Sequence, residues 1–349
     1  MKPRLAALLL TAAPPVLFAQ EPAPSPSPAA EPAPAALTGE DRLQALDAEQ
    51  VRAAIDALRR QHIEAEAIDD PAMLRATLRG LLSGLQPGAE LSGAEPAPAP
   101  DVPLFSEILG DDTGYLRLGS LSTENIARLD AALEEFRDKK VGAVVLDLRA
   151  TPDSDNFELA AQAAGRFVPP GTPLFSLSGA ADKVFTAGGP RGFDGVVAIV
   201  VDGDTSGAAE VLAAALRRHV RAMLVGAPTS GRTVQFAVVD LGDGHRLRLA
   251  VAEARVEGLP GIYPRGLEPD LEVEQDGATR DSIFAAAPEA GMAPFVYQPE
   301  REQLNEAALV AGTNPEISNN GDNGAALVDR PLQRAVDLVT AIRLFRDGD

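Results

Sequence analysis

Cysteine and tryptophan are absent from the 349-residue chain, which has 3 histidines and 4% aromatic residues. Lack of cysteine excludes a disulfide framework, a thiolate nucleophile and lipid attachment at a cysteine side chain. Any core must therefore be built from Leu, Val, Ala and Ile. His62, His219 and His245 are scattered, with neither metal-ligand nor Ser-His-Asp spacing, so no metal or other cofactor is expected. Basic residues are also scarce: 31 Lys and Arg face 51 Asp and Glu, a formal net charge of −20. Phosphate backbones are bound by clustered Lys and Arg, so nucleic acid is excluded as a partner, and the acidity reads as solubility. Long apolar runs are missing as well. Leu5 to Phe18 is too short, and too broken by Pro14-Pro15, for a membrane span.

That run, preceded by Lys2 and Arg4, has the pattern of a secretory signal peptide over residues 1–19, cleaved near Ala19. Export to the periplasm or cell envelope is expected, with no membrane span after cleavage. Residues 20–37 are Pro/Ala/Ser-rich and read as an extended tether. A helical arm is predicted over 38–93. Leu43, Leu46, Val51, Ile55 and Leu58 mark one helix; Leu74, Leu78, Leu81 and Leu85 mark a second, opened by Asp70-Pro71 and stopped by Gln86-Pro87-Gly88. A second Pro/Ala linker spans 94–102 and the remaining core 103–349.

Within the core, strands and helices alternate. Tyr115 to Leu118, Val141 to Leu148, Val196 to Val201 and Ala222 to Val225 read as strands; residues from Ser122, Phe157 to Phe167 and Ala208 to Arg218 read as helices. Thr233 to Val239 and Arg246 to Val251 are predicted to form a hairpin about Gly242-Asp243-Gly244. Residues 311–329 are Asn/Gly-rich, and Leu332 to Leu344 is predicted as a closing amphipathic helix. The alternation implies an α/β domain with crossover connections.

The most informative stretch is Val201-Asp-Gly-Asp-Thr-Ser-Gly-Ala-Ala-Glu210. A buried strand followed by a tight turn and a helix start is where a serine hydrolase exposes its nucleophile, with backbone N–H groups aimed at an oxyanion. Segments in order along the chain, among them Gly114 to Ser122, Val141 to Pro152, Phe193 to Gln235, Leu241 to Ala252 and Arg265 to Val273, resemble the C-terminal processing peptidases, or tail-specific proteases. Leu74 to Leu91 is similar to that family's helical arm and Arg330 to Leu338 to its closing helix. The resemblance implies a ClpP/crotonase-like tail-specific protease core, a Ser/Lys endopeptidase site and a homodimer through the helical arm.

The chain departs from that pattern in several places. The interval at 94–102 stands where the family carries a PDZ module. The nucleophile's position, three residues before Glu210, is Gly207. The general-base lysine's position, 25 residues beyond, is Arg232, and the supporting glutamine corresponds to Gln235. The turn that supplies an oxyanion N–H reads Thr151-Pro152-Asp153-Ser154, so the oxyanion region corresponds to Asp153, Ser154 and Ala208. Glycine offers no nucleophile, and arginine stays protonated at neutral pH. The sequence therefore points to a pseudopeptidase that binds peptides, unfolded C-termini or an active relative.

Two other readings remain. One is an endopeptidase using Ser206, although Ser206 and Thr205 are also favoured helix N-cap types. The other is a structural envelope scaffold. Arg232 reads either as a cation for a peptide carboxylate or as the partner of Asp153, Asp204 or Glu210. Asp202-Gly-Asp204 and Asp153-Ser-Asp155 lack a full calcium-loop signature and read as turns.

Overall fold

The computed structural model describes residues 43–64, 68–93, 101–110, 112–179, 182–297 and 327–347. The segments expected to be a signal peptide and first linker, residues 94–100 of the second interval and residues 311–326 lie outside the described residues. The chain forms two units, residues 1–75 and 76–349.

In the first unit, helix α1 (Ala48–Gln61) opens with a capping box. The Asp47 carboxylate accepts from the Gln50 amide at 2.8 Å, and the Gln50 side chain accepts from the Asp47 amide at 2.9 Å. None of its residues is buried, and the same holds for α2 (Asp70–Gly84), in which the unit boundary falls. The leucine stripes thus form helices with exposed apolar faces.

The second unit is built on a six-stranded sheet of order β11-β8-β7-β4-β3-β2. Its strands are β2 (Phe105–Leu109), β3 (Thr113–Arg117), β4 (Ala143–Asp147), β7 (Val196–Val201), β8 (Met223–Gly226) and β11 (Leu271–Glu272). All neighbours run parallel except β2 against β3. A parallel sheet needs both faces covered, and the continuous apolar runs at β4 and β7 reflect this. One face packs Leu146, Ile199 and Val201 against α3 (Thr123–Asp138), α4 (Phe157–Gly165) and α5 (Ala208–Val220). The other packs Val145, Ala198 and Val200 against α6 (Gly277–Ala290), the short α7 (Ala293–Val296) and α8 (Arg330–Asp347).

A second, antiparallel sheet runs β1-β10-β5-β6, with β9 also on β10. It comprises β1 (Ala89–Ser92), β5 (Pro173–Gly179), β6 (Lys183–Thr186), β9 (Val234–Gly242) and β10 (His245–Arg255). Asp243 and Gly244 both take positive φ, 50° and 77°, as a two-residue hairpin turn requires. β1 belongs to the stretch the sequence reading gives to the arm, yet it pairs Ala89 with Leu249 and Leu91 with Leu247 of β10. Its alternation is too short to register from sequence. Helix α5 is buried throughout Ala208 to Leu216, and its alanines let it sit deep in the core.

Candidate functional site

Parallel strands β4, β7 and β8 are neighbours, so the loops leaving their C-terminal ends converge at one edge of the sheet. These loops are residues 148–156, 202–207 and 227–233.

The middle loop is an Asx turn. Asp202 Oδ1 accepts from the amides of Asp204 and Thr205, both at 3.1 Å. It delivers Gly207 at φ 58°, ψ −123°, directly before α5. This is the sharp strand-to-helix turn that the sequence suggests, in a region that glycine enters without steric cost. A Cβ placed on Gly207 would lie 2.9 Å from Asp153 Oδ1 and would overlap the Ser154 carbonyl oxygen.

That same carbonyl accepts a 2.7 Å hydrogen bond from the Ala208 amide. The amide of the preceding residue, Gly207, donates to Glu210 Oε2 at 3.0 Å. Both backbone donors at the turn thus have internal acceptors. Ser206 Oγ donates to Asp153 Oδ1 at 2.8 Å, and Asp153 pairs with Arg232 at 3.2 Å. The 153–154 segment therefore fills the space above Gly207 and is held there by Ala208, Ser206 and Arg232.

Glu210 fixes the third loop. It is fully buried and accepts from the amides of Gly231 (2.7 Å) and Arg232 (2.8 Å), besides that of Gly207. The hydroxyls of Thr229 and Ser230 also donate to it. In sequence Glu210 is a counting landmark and one candidate partner for Arg232; the Arg232 amide meets it, while the guanidinium pairs with Asp153. Its place in the first turn of a helix after a glycine is the signal available for its role. Gln235 is not brought to this site. Val234 points into the core, so two-residue alternation turns Gln235 outward, into a separate cavity of about 380 Å3 with Asp155, Glu158 and Lys183.

An open cleft of about 360 Å3 remains beside the turn, lined by Thr151, Asp153, Ser206, Arg232, Arg149 and Arg280. The last two carry no sequence signal, because their partners are distant in the chain. Arg280 binds Asp202 at 2.6 Å and Asp204 at 2.7 Å. Burial acts to lower its pKa, but the hydrogen bonds it donates to Asp204 and Asp202 prevail, and the guanidinium is held above its ordinary value. Arg149 is buried between Asp147 (2.6 Å) and Asp329 (2.7 Å). Burial again works against its charge, and the two carboxylates raise its pKa well above the ordinary value. Tyr115 donates to Asp147 at 2.9 Å; burial first, and the Asp147 charge second, push its phenol well above the usual range.

The histidines do not join this site. His62 caps α1, His245 opens β10, and His219 Nε2 lies 3.3 Å from the Leu174 carbonyl.

Residues 112–273 match the model of peptidase family S41, a span that includes every residue of the turn and its three loops. Over this stretch the chain is similar to peptidase family S41. A carboxyl-terminal-processing protease of Synechocystis sp. is 29% identical over 209 residues, covering 60% of this chain and 47% of the relative. A carboxy-terminal-processing protease of Bartonella bacilliformis is 26% identical over 243 residues, covering 67% and 52%. The photosystem II D1 C-terminal processing protease is a similar solved structure, at TM-score 0.42 and 22% identity, covering 54% of this chain and 48% of its own. The chain thus spans about half the length of the curated relatives it matches. Within residues 112–273, the positions singled out by the resemblance meet at Gly207, Ser206, Ala208, Asp153, Ser154 and Arg232, with Gln235 apart.

Proposed function

We propose that this chain is a non-catalytic S41 protein of the cell envelope that holds peptides or partner proteins in the cleft beside Gly207. The observation that carries this reading is the Ser154 carbonyl, bonded to the Ala208 amide in the space a nucleophile's side chain would need. Acyl transfer requires a nucleophile, a base and free donors for the oxyanion. Gly207 supplies no nucleophile, Arg232 no base, and the two amides are engaged. Ser206 does not restore the reaction: its hydroxyl meets a carboxylate that is itself paired with a guanidinium, and the amide following it donates to Glu210. The interval between β1 and β2 supports a PDZ-less arrangement, because it is far shorter than the roughly 50 residues a domain needs.

Arg232 is the side chain that would receive a ligand. Its guanidinium and Asp153 are each 38% exposed, so an incoming C-terminal carboxylate can displace Asp153 from the pair. Calorimetry with C-terminal peptides tests this. Free-acid peptides are expected to bind and amidated peptides to bind about tenfold or more weakly, with Arg232→Gln losing the distinction. Cleavage of an unfolded substrate by the native chain, abolished in Ser206→Ala, would overturn the non-catalytic reading. An absence of both cleavage and peptide binding would favour the structural scaffold.

A further inference from the structure

At the opposite end of the six-stranded sheet, where β7 and β8 begin, lies a cavity of about 280 Å3. Its walls carry Arg191, Arg221, Arg346 and His219, against one carboxylate, Asp194. Such a concentration runs against the composition, in which acids outnumber bases 51 to 31.

The three arginines are presented differently. Arg191 lines the cavity, and its Nε donates to the carbonyls of Phe167 (2.8 Å) and Phe193 (3.0 Å), which anchors the guanidinium without using its terminal nitrogens. Arg221 caps α5 at φ 57°, ψ 37°, a left-handed position that favours glycine. Arg346 lies in the last turn of α8. Among the described residues, neither the Arg221 nor the Arg346 side chain has a hydrogen bond or ion pair.

Arginines at helix C-termini also answer the helix dipole, which accounts in part for Arg221 and Arg346. It does not account for Arg191, which lies in the loop before β7. Three guanidinium charges also exceed the Asp194 charge plus the half-charges of the two helix ends, about two negative charges in all.

We infer that this cavity binds a compact dianion of the phosphate class, either inorganic phosphate or the phosphate of a monoester. Guanidinium forks match phosphate oxygens in pairs, and the anchoring of Arg191 lowers the ordering cost. Met223 and Ile342 supply apolar wall for the organic part of a monoester. Soluble molecules and lipid headgroups both carry this group, and the two arms of the experiment separate them.

The full chain is titrated calorimetrically with inorganic phosphate against chloride at matched ionic strength, and pelleted with phosphatidic acid vesicles. The variants are Arg221→Gly, which places the preferred residue at the left-handed position and so retains the fold, and Arg346→Gln. Saturable phosphate binding is expected, weakened about tenfold or more in the double variant. Phosphate binding without pelleting assigns a soluble ligand; Arg221-dependent pelleting assigns a headgroup. Equal affinity of wild type and double variant, or neither phosphate binding nor pelleting, would overturn the inference.

Discussion

Gly207 adopts the backbone conformation of a nucleophile turn, yet a side chain there has no room. Introducing a Ser/Lys pair alone, as G207S/R232K, is therefore expected to yield no peptidase activity on an unfolded substrate. The added Cβ strains a positive φ and displaces the Ser154 carbonyl, which costs about 1–3 kcal/mol in a denaturation measurement. Adding D153G/S154G, which removes the Asp153 carboxylate and frees the backbone at 153–154, is expected to bring detectable cleavage. Activity in the double variant alone would mean that the 153–154 segment does not block the site. Glu210 gives a second residue-level expectation. Glu210→Gln substitutes a donor for one acceptor oxygen among three backbone amides and is expected to destabilise by about 3 kcal/mol, read by urea unfolding. Glycine at 207 and arginine at 232 were legible in sequence because residue identity alone decides nucleophilicity and basicity. The Ser154 carbonyl was not, because any residue carries one.

Among the elements, strands β4 and β7 and helices α3, α5 and α8 could be read from apolar runs and helical spacing. Strands β1, β5 and β6 could not, being short and half-exposed, and α6 shows little apolar periodicity around Pro288. The C-terminal helix illustrates how an element is placed. Asp329, in a stretch read from sequence as irregular, is fully buried, accepts from the Leu332 amide at 3.0 Å, and binds Arg149 at the end of β4. Asp329→Ala removes a cap and leaves Arg149 short of one carboxylate, with an expected loss of about 3–5 kcal/mol. Hydrogen exchange in α8 should rise with it. The exposed pair Lys139–Glu135 is the control; Glu135→Ala is expected to cost less than about 1 kcal/mol. Equal losses would show that burial is not what gives Asp329 its weight.

At the level of the molecule, a buried phenol sets an alkaline limit. Tyr115 keeps its proton in the folded state well above pH 10, whereas an unfolded tyrosine ionises near pH 10. Above that pH the folded state binds more protons, so the stabilisation present below about pH 10 is lost as pH rises, by up to about 1.4 kcal/mol per pH unit. Denaturant unfolding between pH 9 and 12 should show this slope in the native chain and not in Tyr115→Phe; parallel slopes would refute it. The sequence by itself determined the α/β class, the strand–turn–helix at 201–210 and the presence of glycine at 207 and arginine at 232, because periodicity and residue chemistry are local. Tertiary structure decided what fills the space above Gly207, which arginines rim the cleft, and that Gln235 faces elsewhere. Those outcomes depend on loops from neighbouring parallel strands meeting at one sheet edge, and on a carbonyl and carboxylates whose partners lie tens to hundreds of residues away.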